Sequence, residues 1–337
     1  MNRTIAFYGF LLGFSLIHAG CFLPYVAKQG YYQAKLLSGR QPILQVLQQD
    51  SLTPHQRQRL QLILAVKNFA TNVLALSPNQ NYSTINLQWR HTLYNVSASK
   101  PLLFKPYTWW FPIIGTMPYK GFFEKADAIK EKNRLLLKNL DVQIGPVAGY
   151  SSLGYFSDPV WPQMLELPLV FLVELIIHEL AHATIYFKNQ TDFNESFANA
   201  VGKMGTLAFL KEHFGEKSQE YQDAISIYND QSLYNTHMWQ LYQQLDNLYK
   251  SKQSPAEKQK LKKEIIFNFT LSYPEIPFLT VYFKNKNLNN INNAYLMSFR
   301  RYNSEQKSFE ELLNHVDNNW PNFLKNIRSL ENKRPLG

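Results

Sequence analysis

The chain has 337 residues, of which 45% are hydrophobic, 15% aromatic and 18% charged, with a formal net charge of +10. Disordered chains lack this much apolar and aromatic surface, so the composition predicts a folded protein with an ample core. The basic residues are scattered, apart from a denser run at 250–263, and no nucleic-acid-binding motif accompanies them. We therefore expect a solvated basic surface and no nucleic-acid partner. In an envelope protein, such a surface would also favour anionic lipid headgroups.

The N-terminus has the pattern of a bacterial export signal. Arg3 supplies a short positive region, and the apolar stretch from Ile5 to Ile17 has 13 residues, which is short for a membrane span. Small residues directly before Cys21 resemble a lipoprotein processing site, although His18 stands where an apolar residue is usual. Cys21 is the only cysteine of the chain.

This pattern predicts a lipoprotein signal over residues 1–20 and a mature protein, residues 21–337, anchored by lipid at Cys21. The lack of any other thiol suits the periplasmic side of a bacterial cell envelope. A plain signal peptide, or an uncleaved anchor with an incidental cysteine, remains an alternative. We predict that residues 21–337 form a single domain.

Helical patterns dominate the first half of the mature chain. Thr53 followed by Pro54 is typical of a helix N-terminus, and the apolar periodicity continues through Leu76. The aromatic, Pro- and Gly-rich segment 105–123 favours extended and turn conformations. A helical period returns over Ala126–Leu140.

The second half begins with strand character and then becomes helical. Residues 141–152 predict one or two short strands, and Asp158-Pro159 predicts a break. A long apolar helix is expected over Gln163–Phe187, and the C-terminal third is mostly helical. The predicted fold class is therefore α+β, predominantly α-helical.

The apolar helix carries an HExxH motif. His178 and His182 are four residues apart, so both imidazoles leave the same helix face and can reach one Zn²⁺ ion. Glu179 lies at the flank of that face, where a carboxylate can take a proton from water without binding the metal. The alternative is a pair of core histidines hydrogen-bonded to their neighbours.

Glu195, in the sequence Asn-Glu-Ser-Phe-Ala, is the candidate third ligand. It follows His182 by 13 residues, which leaves room for a turn and a second helix that brings the carboxylate back over the histidines. A catalytic zinc site needs three protein ligands and an open position. The competing interpretation is a capping box, in which Asp192 caps the second helix and Glu195 points back at its own backbone.

HELAH followed by NESFA resembles the gluzincin metallopeptidases, in which a glutamate on a second helix is the third zinc ligand. The chain is still more similar to the bacterial putative aminopeptidase family of lipoproteins. The matching segments are the Cys21 signal, 109–123, 145–159, the two motif helices and 291–295. The resemblance implies a gluzincin-like core, zinc and peptide-bond hydrolysis, with aminopeptidase action as the expectation and endopeptidase action left open.

The chain departs from the larger gluzincins around the ligands. Where those enzymes often carry an acid that orients the first histidine, this chain has Asn199, and Glu174, one turn before His178, is a candidate substitute. Tyr150 could stabilise the oxyanion or simply pack, and the strand around it resembles the gluzincin edge strand that pairs with substrate. Four further residues could line the cleft, and none is assigned a role: Tyr295, Arg300, Arg301 and His237.

These features predict a zinc metallopeptidase that acts on a peptide or protein substrate. Two other classes stay open. One is a binding or structural lipoprotein with a zinc-stabilised, non-catalytic site, which a closed four-ligand centre would support. The other is an intramembrane metalloprotease, suggested by the strongly apolar residues 167–177.

Overall fold

The computed structural model describes residues 23–111, 115–147, 157–303 and 306–330. The chain is 62% helical and also contains small antiparallel sheets. The expected α+β class, predominantly helical, is confirmed at this level. The N-terminal signal, Cys21 and Tyr150 lie outside the described residues, so their predicted roles stay predictions.

The helices occur in the following order: α1 (23–38), α2 (Ile43–Val46), α3 (Pro54–Asn72), α4 (Lys125–Leu136), α5 (Pro162–Leu165), α6 (Leu169–Thr184), α7 (Thr191–Phe214), α8 (Gln219–Lys250), α9 (Pro255–Ser272), α10 (Val281–Lys284), α11 (Asn293–Asn303), α12 (Gln306–His315) and α13 (Trp320–Ser329). A short 3₁₀ turn, Tyr273–Glu275, follows α9.

Seven short strands form three antiparallel sheets in the described part of the chain. They are β1 (Gln41–Pro42), β2 (Thr84–Ile85), β3 (Leu93–Ser99), β4 (Trp109–Phe111), β5 (Gly115–Met117), β6 (Tyr119–Phe122) and β7 (Asp141–Val147). The largest sheet has the order β6-β3-β7, and β1-β2 and β4-β5 form two-stranded pairs. The expected strand after α4 is thus present as β7, at an edge of the largest sheet.

The start of α3 follows the sequence signal. The Thr53 side chain accepts a hydrogen bond from the Gln56 backbone N–H at 3.1 Å, and the Gln56 side chain accepts one from the Thr53 backbone N–H. Pro54 occupies the first turn, where its missing N–H costs nothing. The helix ends at Asn72, a few residues before the predicted end.

The predicted helix Gln163–Phe187 is divided in two, and the prediction of one long helix is wrong. The cause is Pro168, which has no N–H to donate and disfavours helical geometry in the residue before it. α5 therefore ends at Leu165, and α6 begins after Pro168. α6 ends at Thr184, because Ile185 is already extended, with φ −140° and ψ 123°.

Three hydrophobic clusters organise the interior. The largest joins α3, α6, α7 and the C-terminal helices α12 and α13. The second lies among α8, the 3₁₀ turn and α11, and the third packs α4 against the largest sheet. Within the described residues, no helix combines the length and apolar character needed to cross a membrane. The pair α6 and α7 at the centre of the largest cluster positions the candidate site.

Candidate metal centre

Three side chains from two adjacent helices converge at one point. His178 Nε2 and His182 Nε2 lie 3.1 Å apart, and Glu195 Oε2 is 3.5 Å from each of them. Both histidines lie on α6 and the glutamate lies in the first turns of α7. All three residues are almost completely buried.

This triangle fits a small tetrahedral metal ion. Donors at about 2.0–2.1 Å from a tetrahedral Zn²⁺ lie roughly 3.3–3.4 Å from one another, close to the separations observed here. Two imidazole nitrogens and one carboxylate oxygen are a donor set typical of zinc. Among the described residues, no fourth His, Cys, Asp or Glu joins the group. The three residues could therefore hold a metal ion with one coordination position left over.

The turn between α6 and α7 is fixed by one buried asparagine. Asn194 donates a hydrogen bond to the Phe187 carbonyl at 2.7 Å and accepts one from the Phe187 backbone N–H at 2.8 Å. Phe187 is also buried, so these two bonds satisfy both of its backbone groups away from water. Asn194 immediately precedes Glu195, and this contact sets where the carboxylate enters the site.

The capping-box alternative for Glu195 is wrong. α7 begins at Thr191 with Gln190 as its N-cap, and no side chain caps the helix. Asp192, the proposed cap, instead faces α11, where its carboxylate lies 3.6 Å from Arg301 Nε. Glu195 is thereby free to point at the histidines.

Close packing of α7 on α6 depends on two glycines. A Cβ atom at Gly202 would lie 3.3 Å from the Glu174 carbonyl oxygen and 3.4 Å from His178 Cβ. A Cβ atom at Gly205 would lie 3.0 Å from Ile177 Cγ2. These positions allow the two backbones to approach closely enough for Glu195 to reach the imidazoles.

Burial and charge set the ionisation of the two acids in opposite directions. Burial alone would raise the pKa of Glu195, but hydrogen bonds and attraction from His178 and His182 outweigh it and hold that pKa well below its usual range. Burial raises the pKa of Glu179 to about 7; the electrostatic interaction with His178 opposes the shift, and those with Glu195 and Asp158 add to it. A ligand-like carboxylate thus sits beside one with the proton affinity of a base.

Two loops, which carry Tyr82 and Asp158, enclose Glu179. Tyr82 is fully buried near it, and the Tyr82 backbone N–H donates to the Asp158 carbonyl at 2.7 Å. The Asp158 backbone N–H donates in turn to the Asn81 side chain at 3.1 Å. These contacts remove water from around Glu179, which is the physical cause of its raised pKa.

The two residues predicted to support the ligands have other partners. Glu174 accepts a hydrogen bond from the Tyr228 hydroxyl at 3.1 Å and is linked to His178 only through its charge. Asn199 donates to the Tyr302 carbonyl at 3.0 Å. His182 Nδ1 is buried without a hydrogen-bond partner among the described residues. The orienting roles of Glu174 and Asn199 therefore remain predictions.

The last turn of α11 completes the site, although no sequence motif indicates its contribution. The Tyr302 side chain is hydrogen-bonded to Glu195. Ser196 Oγ donates to the Arg301 carbonyl at 3.0 Å, so α7 and α11 are joined beside the ligand. The Arg301 guanidinium lies 5.4 Å from the centre of the Tyr119 ring. Arg301 was a candidate for the cleft, whereas Tyr302 lies in no motif.

The sequence matches the model of the family described as "putative aminopeptidase" over residues 24–335. The chain belongs to this family. No curated protein and no solved structure matches it. The matched region covers both motif helices as well as α11, so the residues around Glu195 all lie within it.

Proposed function

We propose that this protein is a zinc-dependent peptidase with a gluzincin-like core, in which His178, His182 and Glu195 bind the metal. The observation that carries the proposal is the buried triangle of their donor atoms, with Glu179 beside it. When bound, zinc supplies a Lewis acid that makes water a better nucleophile and the amide carbonyl a better electrophile. The family description supports aminopeptidase action.

Glu179 is the residue we assign to proton transfer. Its carboxylate takes the proton of the attacking water and then gives a proton to the leaving amine. A general base works best when its pKa is near the operating pH, and burial raises the pKa of Glu179 to about 7. Tyr302 holds Glu195 in place, because its side chain is hydrogen-bonded to that carboxylate.

A non-catalytic zinc site is the second candidate function. A structural zinc site is closed by four protein ligands, whereas the group found among the described residues has three. The three-ligand group therefore favours catalysis. The envelope location and the lipid anchor at Cys21 remain part of the proposal on the strength of the N-terminal sequence pattern alone.

The decisive experiment measures zinc content, thermal stability and peptide hydrolysis in the same preparations. Glu195→Ala should lose stoichiometric zinc and the gain in melting temperature on zinc addition, while Glu212→Ala, an exposed acid on the same helix, should keep both. Glu179→Gln should retain zinc but hydrolyse peptides roughly 10²–10⁴-fold more slowly. Zinc retained in Glu195→Ala, or full activity in Glu179→Gln, would overturn the assignment.

A further inference from the structure

A cavity of about 450 Å³ lies beside the metal centre. α8, α10 and α11 supply most of its wall, and Gln143 of β7 and Phe171 of α6 contribute one side chain each. Cavities of roughly 300–1,000 Å³ are the size that holds small ligands or a few residues of a peptide. Tyr282 in its wall is half exposed, so the cavity can be reached from solvent.

Three lining residues connect this cavity to the metal ligands. Asn199 lies one helical turn after Glu195 on α7, and Tyr302 is hydrogen-bonded to Glu195. Phe171 lies two turns before His178 on the same face of α6, about 10 Å along the helix axis. No metal ligand lines the cavity, but these residues place it roughly 10 Å from His178, about the length of three extended peptide residues.

The charge of the cavity is one-sided. Lys286 is the only charged residue in the described lining, and no aspartate or glutamate accompanies it. The other polar groups are neutral amides and hydroxyls, including those of Tyr234 and Tyr295, which share a hydrogen bond. A substrate ammonium group would find no counter-charge here, whereas an anionic group would find one.

The Lys286 ammonium group is held by aromatic rings. It lies 4.7 Å from the centre of the Tyr234 ring and 5.3 Å from the centres of the Tyr282 and Phe283 rings. No carboxylate of the described residues forms an ion pair with it, and burial lowers the pKa of Lys286. The rings position the cation but leave its charge uncompensated, since a ring offers far less stabilisation than a carboxylate.

We propose that this cavity binds a carboxylate of the substrate, with Lys286 as its counter-ion. The ligand chemistry has two sources in a peptide, the C-terminal carboxylate and the side chain of Asp or Glu. The Tyr234 and Tyr295 hydroxyls lie in the same wall and share one hydrogen bond, so whichever of them accepts that bond keeps a proton that it can donate to the second carboxylate oxygen. This inference deepens the proposed function, on which it rests, because it names the chemical class of the peptidase substrate.

The test uses calorimetric binding to the zinc-free protein, where hydrolysis and direct carboxylate–zinc contact are both absent. One probe pair is acetyl-dialanine with a free C-terminal carboxylate and the same peptide as its amide. The second pair is acetyl-Ala-Glu-amide and acetyl-Ala-Gln-amide. We expect the acid of at least one pair to bind about tenfold more tightly than its neutral partner, as expected of a charged hydrogen bond.

The variants separate the role of Lys286 from the effect of the protein's overall positive charge. Lys286→Met and Lys286→Gln should both abolish the preference for the acid. Lys284→Met removes an exposed lysine two positions earlier and should leave the preference unchanged. A preference in the first pair assigns the cavity to the C-terminal carboxylate, and one in the second pair assigns it to an acidic side chain.

Equal binding of acids and amides to wild type, or a preference that survives in both Lys286 variants, would overturn the proposal. The comparison of acid and amide binding does not depend on catalysis. Loss of the proposed function would appear instead as absent zinc or absent hydrolysis in a protein whose acid preference is intact. The melting temperature of each Lys286 variant shows whether it is folded. If Lys286→Met disturbs the packing of the surrounding aromatic rings, Lys286→Gln still provides the comparison.

Discussion

Asn194 is the single residue whose loss should disturb the candidate centre most without removing a ligand. Its side chain satisfies both backbone groups of buried Phe187. Its removal leaves the Phe187 N–H unpaired, whereas the Phe187 carbonyl keeps a hydrogen bond from the Gln190 backbone N–H at 3.2 Å. An unpaired buried backbone group costs about 1–3 kcal/mol, so Asn194→Ala should destabilise the protein by roughly that amount. Because Glu195 is the next residue, zinc affinity should also fall by about 10–100-fold, as it does when ligand supports are removed.

The matched control for Asn194 is Asn72→Ala. Asn72 is exposed, and its amide donates only to the neighbouring Asn68 side chain. Thermal unfolding and zinc titration of both variants test the prediction. If Asn194→Ala melts and binds zinc as Asn72→Ala does, the contact with Phe187 has no part in holding Glu195.

The candidate metal ligands were predictable, because their positions depend on short spacings along the sequence. His178 and His182 share one helix face by periodicity alone, and Glu195 follows after a length of chain that suits a hairpin. Tyr302 could not be found in this way, because it reaches Glu195 only when α11 docks on α7. Ser196 and Asn199 make that docking through two backbone carbonyls of α11, and such contacts leave no pattern in the sequence.

Between elements, the approach of α7 to α6 should be sensitive to a single methyl group. At Gly205 a Cβ atom would lie 2.7 Å from Leu74 Cδ1 and 3.0 Å from Ile177 Cγ2. Leu74 and Ile177 are both fully buried, so neither has space to move. Gly205→Ala should therefore destabilise the protein by about 1–3 kcal/mol through overpacking.

Gly30→Ala makes the same chemical change where there is room. Gly30 lies in α1, and a Cβ atom there would meet nothing within 4 Å. Alanine is favoured over glycine in a helix by about 1 kcal/mol, so this variant should be neutral or stabilised. Chemical denaturation of both variants gives the comparison. A Gly205→Ala protein as stable as Gly30→Ala would mean that the helices can separate at little cost.

Element boundaries were predictable where one local rule decided them. Thr53 and Pro54 mark the start of α3, because capping and the missing proline N–H act within one turn. The apolar run of 163–187 suggested one helix, since hydrophobic periodicity continues across Pro168. The backbone restriction at that proline prevailed over periodicity, and the helix that carries the histidines is shorter than predicted.

For the whole molecule, the fold class followed from composition and periodicity, whereas the cavity did not. Its wall comes from α6, α7, α8, α10, α11 and β7, and its lining residues are spread along the chain from Gln143 to Asn303. Lys286 looked like one more member of a scattered basic surface. Only the assembled structure encloses it in aromatic rings without a carboxylate, which is why its proposed role in substrate binding emerges at this scale.

The attachment of the whole molecule to a membrane through lipid at Cys21 is a final prediction, in which buried acyl chains supply most of the binding free energy. The net charge of +10 would add attraction at an anionic surface, which salt screens, so retention after a salt wash reports the lipid anchor. In bacteria fed an alkyne fatty acid, the full chain should take up label and remain in salt-washed membranes, while Cys21→Ser should be unlabelled. An unlabelled wild type would contradict lipidation at Cys21. Mass spectrometry of its N-terminus would then distinguish the two alternatives. Absence of residues 1–20 would indicate a plain signal peptide, and their presence would indicate an uncleaved anchor.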